Sequence, residues 1–132
     1  YNTDRSDSGP ITVYSAFAAN GYAPQFGEMI TTHDDTAASG TVNSAVVDSG
    51  ASSSSGASGF LQVFSVASGT PTIKIQHATS SGGTYSDLIS FTAVTDRTSE
   101  YKEVSGTVNR YLRYNVSGTY TTVNFAVALS RT

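Results

Sequence analysis

The chain reads as an all-β protein, an antiparallel β-sandwich of the jelly-roll or immunoglobulin-like kind with about eight to ten strands. Three observations predict this. Apolar and polar residues alternate with period two in short runs, the mark of strands with one buried face. Gly, Ser and Asn fill the gaps, as turns do between strands that recur every ~8–12 residues. Helix signals are weak throughout, apart from one turn-like stretch at Tyr85-Ser86-Asp87-Leu88.

Residues 1–10 are polar and end in Gly-Pro, which predicts an extended N-terminal arm. Residues 11–132 then form a single β-sandwich domain. Its first strand is Ile11 to Ala18. The Gly- and Pro-containing stretch 19–29 is a loop, with Tyr22, Phe26 and Met29 able to pack. Met29 to Thr32 is a short strand, His33 to Thr36 a polar turn, and Thr41 to Val47 another strand. Residues 49–59 are all Ser, Gly or Ala. A linker there would leave a first unit of about fifty residues, marginal without disulfides or metal. A long Ser/Gly-rich surface loop inside one domain is the better reading.

The second half is more regular. Strands run over 60–67 and 72–78, separated by Ser68-Gly69-Thr70-Pro71. Ser80 to Thr84 is a hairpin turn whose glycines can take positive φ. Asp87 to Val94 is a strand with both faces partly apolar, and Asp96 to Ser99 turns the chain. Tyr101 to Val108 carries Gly106 at a bulge. Tyr111 to Val116 follows, and the last strand is 122–130. There Val123, Phe125, Val127 and Leu129 share one face, with Asn124, Ala126, Ala128 and Ser130 on the other. Burying four such side chains stabilises by roughly 1.5–3 kcal/mol each before entropy is counted. A strand this apolar on one face belongs mid-sheet.

Composition excludes several classes of function. At 132 residues the chain buries roughly two-thirds of its unfolded surface. Only 13% of residues are charged, against a typical ~25%, while 21 Ser and 18 Thr make the surface hydroxyl-rich. That fits a surface covered by neighbours or exposed as an uncharged face. Net charge is −3, and the few Lys and Arg are scattered, so no nucleic acid partner is expected. No apolar run reaches the ~20 residues of a membrane-spanning helix, so no membrane partner is expected either. Cysteine is absent, which removes disulfides and thiolate zinc sites.

No catalytic constellation stands out, and no enzyme, cofactor or metal is expected. His33-Asp34-Asp35 is a tight group of ligand types but lacks a third or fourth donor. Its plainer reading is a turn in which Asp caps backbone donors. His77 shares a strand face with Ile73 and Ile75, so it reads as a hydrogen-bonded residue at the rim of the core. The ten carboxylates sit mostly in turns, not in a glycosidase pair. Asn115-Val116-Ser117 matches the glycosylation sequon, which matters only in a eukaryotic secretory setting. Exposed Tyr and Arg are the residues with interaction chemistry. Tyr85, Tyr101, Tyr111, Tyr114 and Tyr120 cluster in the second half. Tyr is a good strand residue in its own right, but Tyr and Arg are also enriched at interfaces. Arg110 and Leu112 fall on one face and Tyr111 and Arg113 on the other. The candidate interface or ligand surface is therefore Tyr85, Tyr101, Arg110, Tyr111, Arg113 and Tyr114.

The stretch from Gly59 to Arg131 resembles a small β-sandwich module of tailed-bacteriophage virion proteins. The pieces that carry it are GFLQVFSVASGTPTIKIQHA, SSGGTYSDLISFTAVT, VSGTVNRYLRYNVSG and VNFAVALSR, and the most specific is GTVNRYLR at 106–113. The resemblance implies a non-enzymatic structural protein of the virion, in the tail or decorating the capsid. It implies copies of itself and other virion proteins as partners, and no catalytic residue to carry over. Related sandwiches bind carbohydrate, so attachment to a host-surface glycan is the alternative function.

Overall fold

The structure, a computed structural model, describes residues 2–4, 12–14, 27–32 and 35–132, the first two segments as backbone. Every regular element among them is a strand: β1 (Asn2–Asp4), β2 (Thr12–Tyr14), β3 (Glu28–Met29), β4 (Asp35–Ala38), β5 (Val42–Asn43), β6 (Val47–Asp48), β7 (Ala57–Val66), β8 (Thr72–Ala78), β9 (Ser86–Ser90), β10 (Thr98–Val104), β11 (Tyr111–Ser117) and β12 (Thr122–Arg131). β1 and β2 pair antiparallel as a two-stranded sheet. The other ten strands form two sheets.

The first sheet runs β10-β7-β12, with β3 and β4 sharing the far flank of β12. The second runs β9-β8-β11, with β5 and β6 sharing the far flank of β11. The ladders β4–β12, β5–β11, β7–β10 and β8–β9 are nested in sequence, like one long hairpin. Rolling that hairpin brings β7 beside β12 and β8 beside β11. This is the jelly-roll arrangement, one of the two predicted sandwich types.

Period-two alternation builds the core between the sheets. On β12, Val123, Phe125, Val127 and Leu129 are all buried, and the strand lies mid-sheet as its apolar face requires. They meet Ile73 and Ile75 of β8, Leu112, Tyr114 and Val116 of β11, and Leu61 and Val63 of β7. Tyr114 and Phe125 pack edge-to-face across the sheets, with ring centroids 5.0 Å apart.

Polar side chains close the sandwich along its sides. Ser49 donates to the Glu28 carboxylate at 2.6 Å, joining the β3 edge to the end of β6. On the opposite side the Glu100 carboxylate accepts from the Thr92 N–H at 2.8 Å, and Lys102 donates to the Ser90 carbonyl at 2.9 Å. Glu100 lies below the usual carboxylate value. Burial acts to raise it, but the Thr92 N–H, the Lys102 ammonium and the Thr92 hydroxyl together outweigh that.

Several element boundaries differ from the sequence reading. β7 starts at Ala57, inside the stretch read as loop, because small residues are what the core admits there. A Cβ on Gly59 would lie 2.8 Å from Ile89 Cδ1. Thr98 and Ser99 belong to β10, while Gly106 (φ +98) lies in the turn beyond that strand and not in a bulge. The bulges fall instead opposite Asn124/Phe125 and Ile75/Gln76. Gly82 and Gly83 take no positive φ; the β8–β9 turn is closed by the Gly83 N–H donating to the Ser80 carbonyl at 3.1 Å. The turn-like stretch at 85–88 enters β9, and Phe91 and Val94 are buried beyond the end of that strand. The predicted strand over 41–47 is split into β5 and β6. Most of 1–10 and of the predicted strand at 11–18 lies outside the described residues.

Candidate functional site

The outer face of the second sheet gathers four of the six residues singled out from sequence. Strand register sets a row across it, Asp87 beside Gln76 beside Arg113. The Gln76 amide links the two charges: its Nε2 donates to Asp87 Oδ1 at 2.7 Å and its Oε1 accepts from Arg113 Nε at 2.9 Å. Lys74 Nζ completes the row's ion pair with Asp87 Oδ2 at 2.7 Å. Hydrogen bonds from Gln76 and then Lys74 hold the Asp87 carboxyl below its ordinary value.

Arg113 stacks on the Tyr85 ring, 4.1 Å from its centroid. Partial burial raises the Tyr85 hydroxyl, against the pull of the Arg113 charge. Arg110 lies 5.1 Å over the Tyr111 ring and grips Asp48 with both ends of its fork, at 2.6 and 2.7 Å. Those bonds, with the Gly50 N–H, bring Asp48 down to about 2. Arg110 therefore ties β6 to the approach of β11, and Arg113 keeps donors to spare beyond its bond to Gln76.

The other two predicted residues lie elsewhere. Tyr101 is on the outer face of the first sheet, 48% exposed. Tyr114 corrects the sequence reading: it is 6% exposed and belongs to the core. Its phase on β11 is that of Leu112 and Val116, so its ring points between the sheets.

Sequence reasoning missed the surface around Tyr101. Register places Met29, Ala128, Phe60 and Tyr101 in one lateral row across β3, β12, β7 and β10. Met29 is 45% exposed and Phe60 37%. The small Ala126 and Ala128 form the floor of a groove of about 550 Å³ between them. The Phe60 and Tyr101 rings are 5.1 Å apart, and the Tyr101 hydroxyl lies against Ser58 Oγ at 3.1 Å and donates to the Glu103 carboxylate. The signal was present in β7, where Phe60 and Phe64 alternate against Leu61 and Val63. Two rings on the face opposite the core are an exposed aromatic column.

His77 sits at the rim of the core as predicted, with Nδ1 accepting the Asn109 N–H at 3.2 Å. Burial and then the Arg131 charge push its pKa down. Among the described residues no three of His, Asp and Glu come together to hold a metal; His33 and Asp34 lie outside them. Among the described residues no helix is long and apolar enough to cross a membrane.

No family model matches the chain, and no curated protein matches it. A solved chain from Bacillus endospore appendages, described as a novel family of disulfide-linked pili, is similar over 91% of this chain and 98% of its own length. It is 22% identical with a TM-score of 0.49. A likeness at that level assigns neither family nor function.

Proposed function

We propose that this chain is a non-enzymatic structural subunit that works by self-assembly in an extracellular particle. The observation that carries this reading is the row Met29–Ala128–Phe60–Tyr101. Met29, Phe60 and Tyr101 are large, exposed side chains lined up across one sheet face with Ala128 between them, and such patches serve as interaction surfaces. Low charge and abundant hydroxyls favour a subunit whose surface is shared with neighbours. The sequence holds no cysteine, so contacts among these residues involve no disulfide. Membership of a tailed-phage virion is the finer form of the proposal and rests on the resemblance at 106–113. Sedimentation of the purified chain over a wide concentration range, with electron microscopy, tests assembly. Mass spectrometry of the source particles tests the virion. A chain that stays monomeric and is absent from particles would sink both.

A second reading draws on Arg113 stacked on Tyr85 beside Tyr111. Aromatic faces with a spare guanidinium suit a sugar, as in a glycan-binding module. A glycan array with the native chain and a Tyr85→Ala variant discriminates it.

A further inference from the structure

We propose that the two outer sheet faces are the two halves of one head-to-tail contact between copies of this chain. The Tyr85–Arg113–Tyr111 face of one copy seats on the Met29–Phe60–Tyr101 groove of the next, with Arg113 meeting Glu103. This deepens the self-assembly reading and rests on it.

Charge complementarity selects the occupant. Three ion pairs are made within the sandwich: Lys74 with Asp87, Arg110 with Asp48, Lys102 with Glu100. Beside the aromatic surface of each outer face lies a charge that makes no salt bridge among the described residues. On the first sheet it is Glu103, held only by the Tyr101 hydroxyl. On the second it is Arg113, held through Nε by Gln76 and stacked on Tyr85. The two are opposite in sign, and each sits beside aromatic surface. A guanidinium whose position is already set loses little freedom on meeting a carboxylate. Tyr85 and Tyr111 flank Arg113 with the ring area needed to cover Phe60 and Tyr101, the composition of a hot spot.

The same charges argue against face-to-like-face pairing. Two first-sheet faces would bring together surfaces each carrying an unmatched Glu103, and two second-sheet faces would do so with Arg113. Only the mixed contact neutralises both. The two faces look out from opposite sides of the sandwich, so the mixed contact does not close as a two-fold dimer. It propagates, as a ring or an open filament.

Charge reversal tests this. Glu103→Arg and Arg113→Glu, made singly in the 132-residue chain, each raise the concentration needed for assembly by at least about tenfold. Each surface variant keeps the native circular dichroism and melting temperature. Mixing the two single variants restores assembly. The new carboxylate at position 113 of one variant meets the new guanidinium at position 103 of the other, and the native pair re-forms at the alternate contact. The double variant assembles alone. Single variants that assemble as readily as wild type overturn the inference while leaving self-assembly intact. So does a pair of single variants that fails to recover on mixing. A strictly monomeric wild type overturns both, and overturns them in favour of a glycan partner if Arg113→Glu abolishes binding to a glycan array.

Discussion

The Arg131 guanidinium at the end of β12 donates to the Val108 carbonyl at 2.9 Å, reaching across the end of the sandwich. It also donates to the Asn109 carbonyl at 2.8 Å and to Ser53 Oγ at 3.1 Å. One side chain thus holds both the Ser/Gly-rich loop and the turn before β11. Hydrogen bonds from a charged donor contribute more than neutral ones, while the Val108 carbonyl keeps the Ser53 N–H as a second partner. Arg131→Ala is expected to lower unfolding free energy by about 2–3 kcal/mol in urea titrations. Arg131→Lys recovers little, because a single ammonium cannot span three acceptors. Full stability in Arg131→Ala would show that the loop is held by other means.

His77 gives the fold a pH dependence near neutrality. Its Nδ1 accepts the Asn109 N–H and must be unprotonated to do so. Burial, then the Arg131 charge, depresses its pKa below 6.5. With a lowered folded pKa the unfolded chain binds the proton first, so this contribution is complete above pH 6.5 and is lost as pH falls below it. Wild type should lose more stability between about pH 7.5 and 5 than His77→Gln does. The carboxylates Asp48, Asp87 and Glu100 have lowered values and contribute losses only at more acid pH. Parallel stability curves for the two proteins would exclude the effect.

At Gly59 the backbone lies close against core side chains. A Cβ there would sit 2.8 Å from Ile89 Cδ1 and 3.2 Å from both Ile75 Cδ1 and Phe91 Cζ. Gly59→Ala should cost about 1–3 kcal/mol through overpacking. Ile89→Val removes the atom in the closest clash, so a double-mutant cycle should show the pair coupled favourably. Simple additivity would mean that the core yields elsewhere.

That position also shows why part of the fold escaped the sequence. Strands with clear alternation, 72–78 and 122–130, were legible because each inward residue is large and each outward one polar or small. The start of β7 reads Ala57-Ser58-Gly59, a composition shared with loops, although all three residues are buried. Only the partner side chains of Ile75, Ile89 and Phe91 explain the small residues, and those are distant in sequence. The site divides in the same way. Tyr114 was placeable from its phase with Leu112, whereas the Met29–Phe60–Tyr101 row depends on the register of four strands and is invisible to any single segment.

Tyr114 should titrate late. Burial comes first, then the Asp35 charge and a hydrogen bond to Asp35, pushing its hydroxyl up to about 12. A folded pKa raised above the unfolded value stabilises fully below pH 10 and is lost as pH climbs towards 12. Spectrophotometric titration of the folded chain should therefore show a tyrosinate step well after the main transition. Tyr114→Phe should delete that step; its persistence would assign it to another tyrosine.

Phe60 and Leu61 are neighbours on β7 with opposite fates. Leu61 is 2% exposed between the sheets, while Phe60 is 37% exposed on the outer groove against Tyr101. Leu61→Ala creates a cavity in the core and should cost about 2–5 kcal/mol. Phe60→Ala removes a larger side chain yet should cost less, about 1–2 kcal/mol, because part of the ring is already in water and it lines an open groove, where its removal leaves no enclosed cavity. Self-association should follow the reverse order, with Phe60→Ala monomeric at concentrations where the folded fraction of Leu61→Ala still assembles. Denaturant melts and sedimentation on the same two variants separate the roles. Equal losses of assembly at equal stability would mean that the groove is not a contact surface.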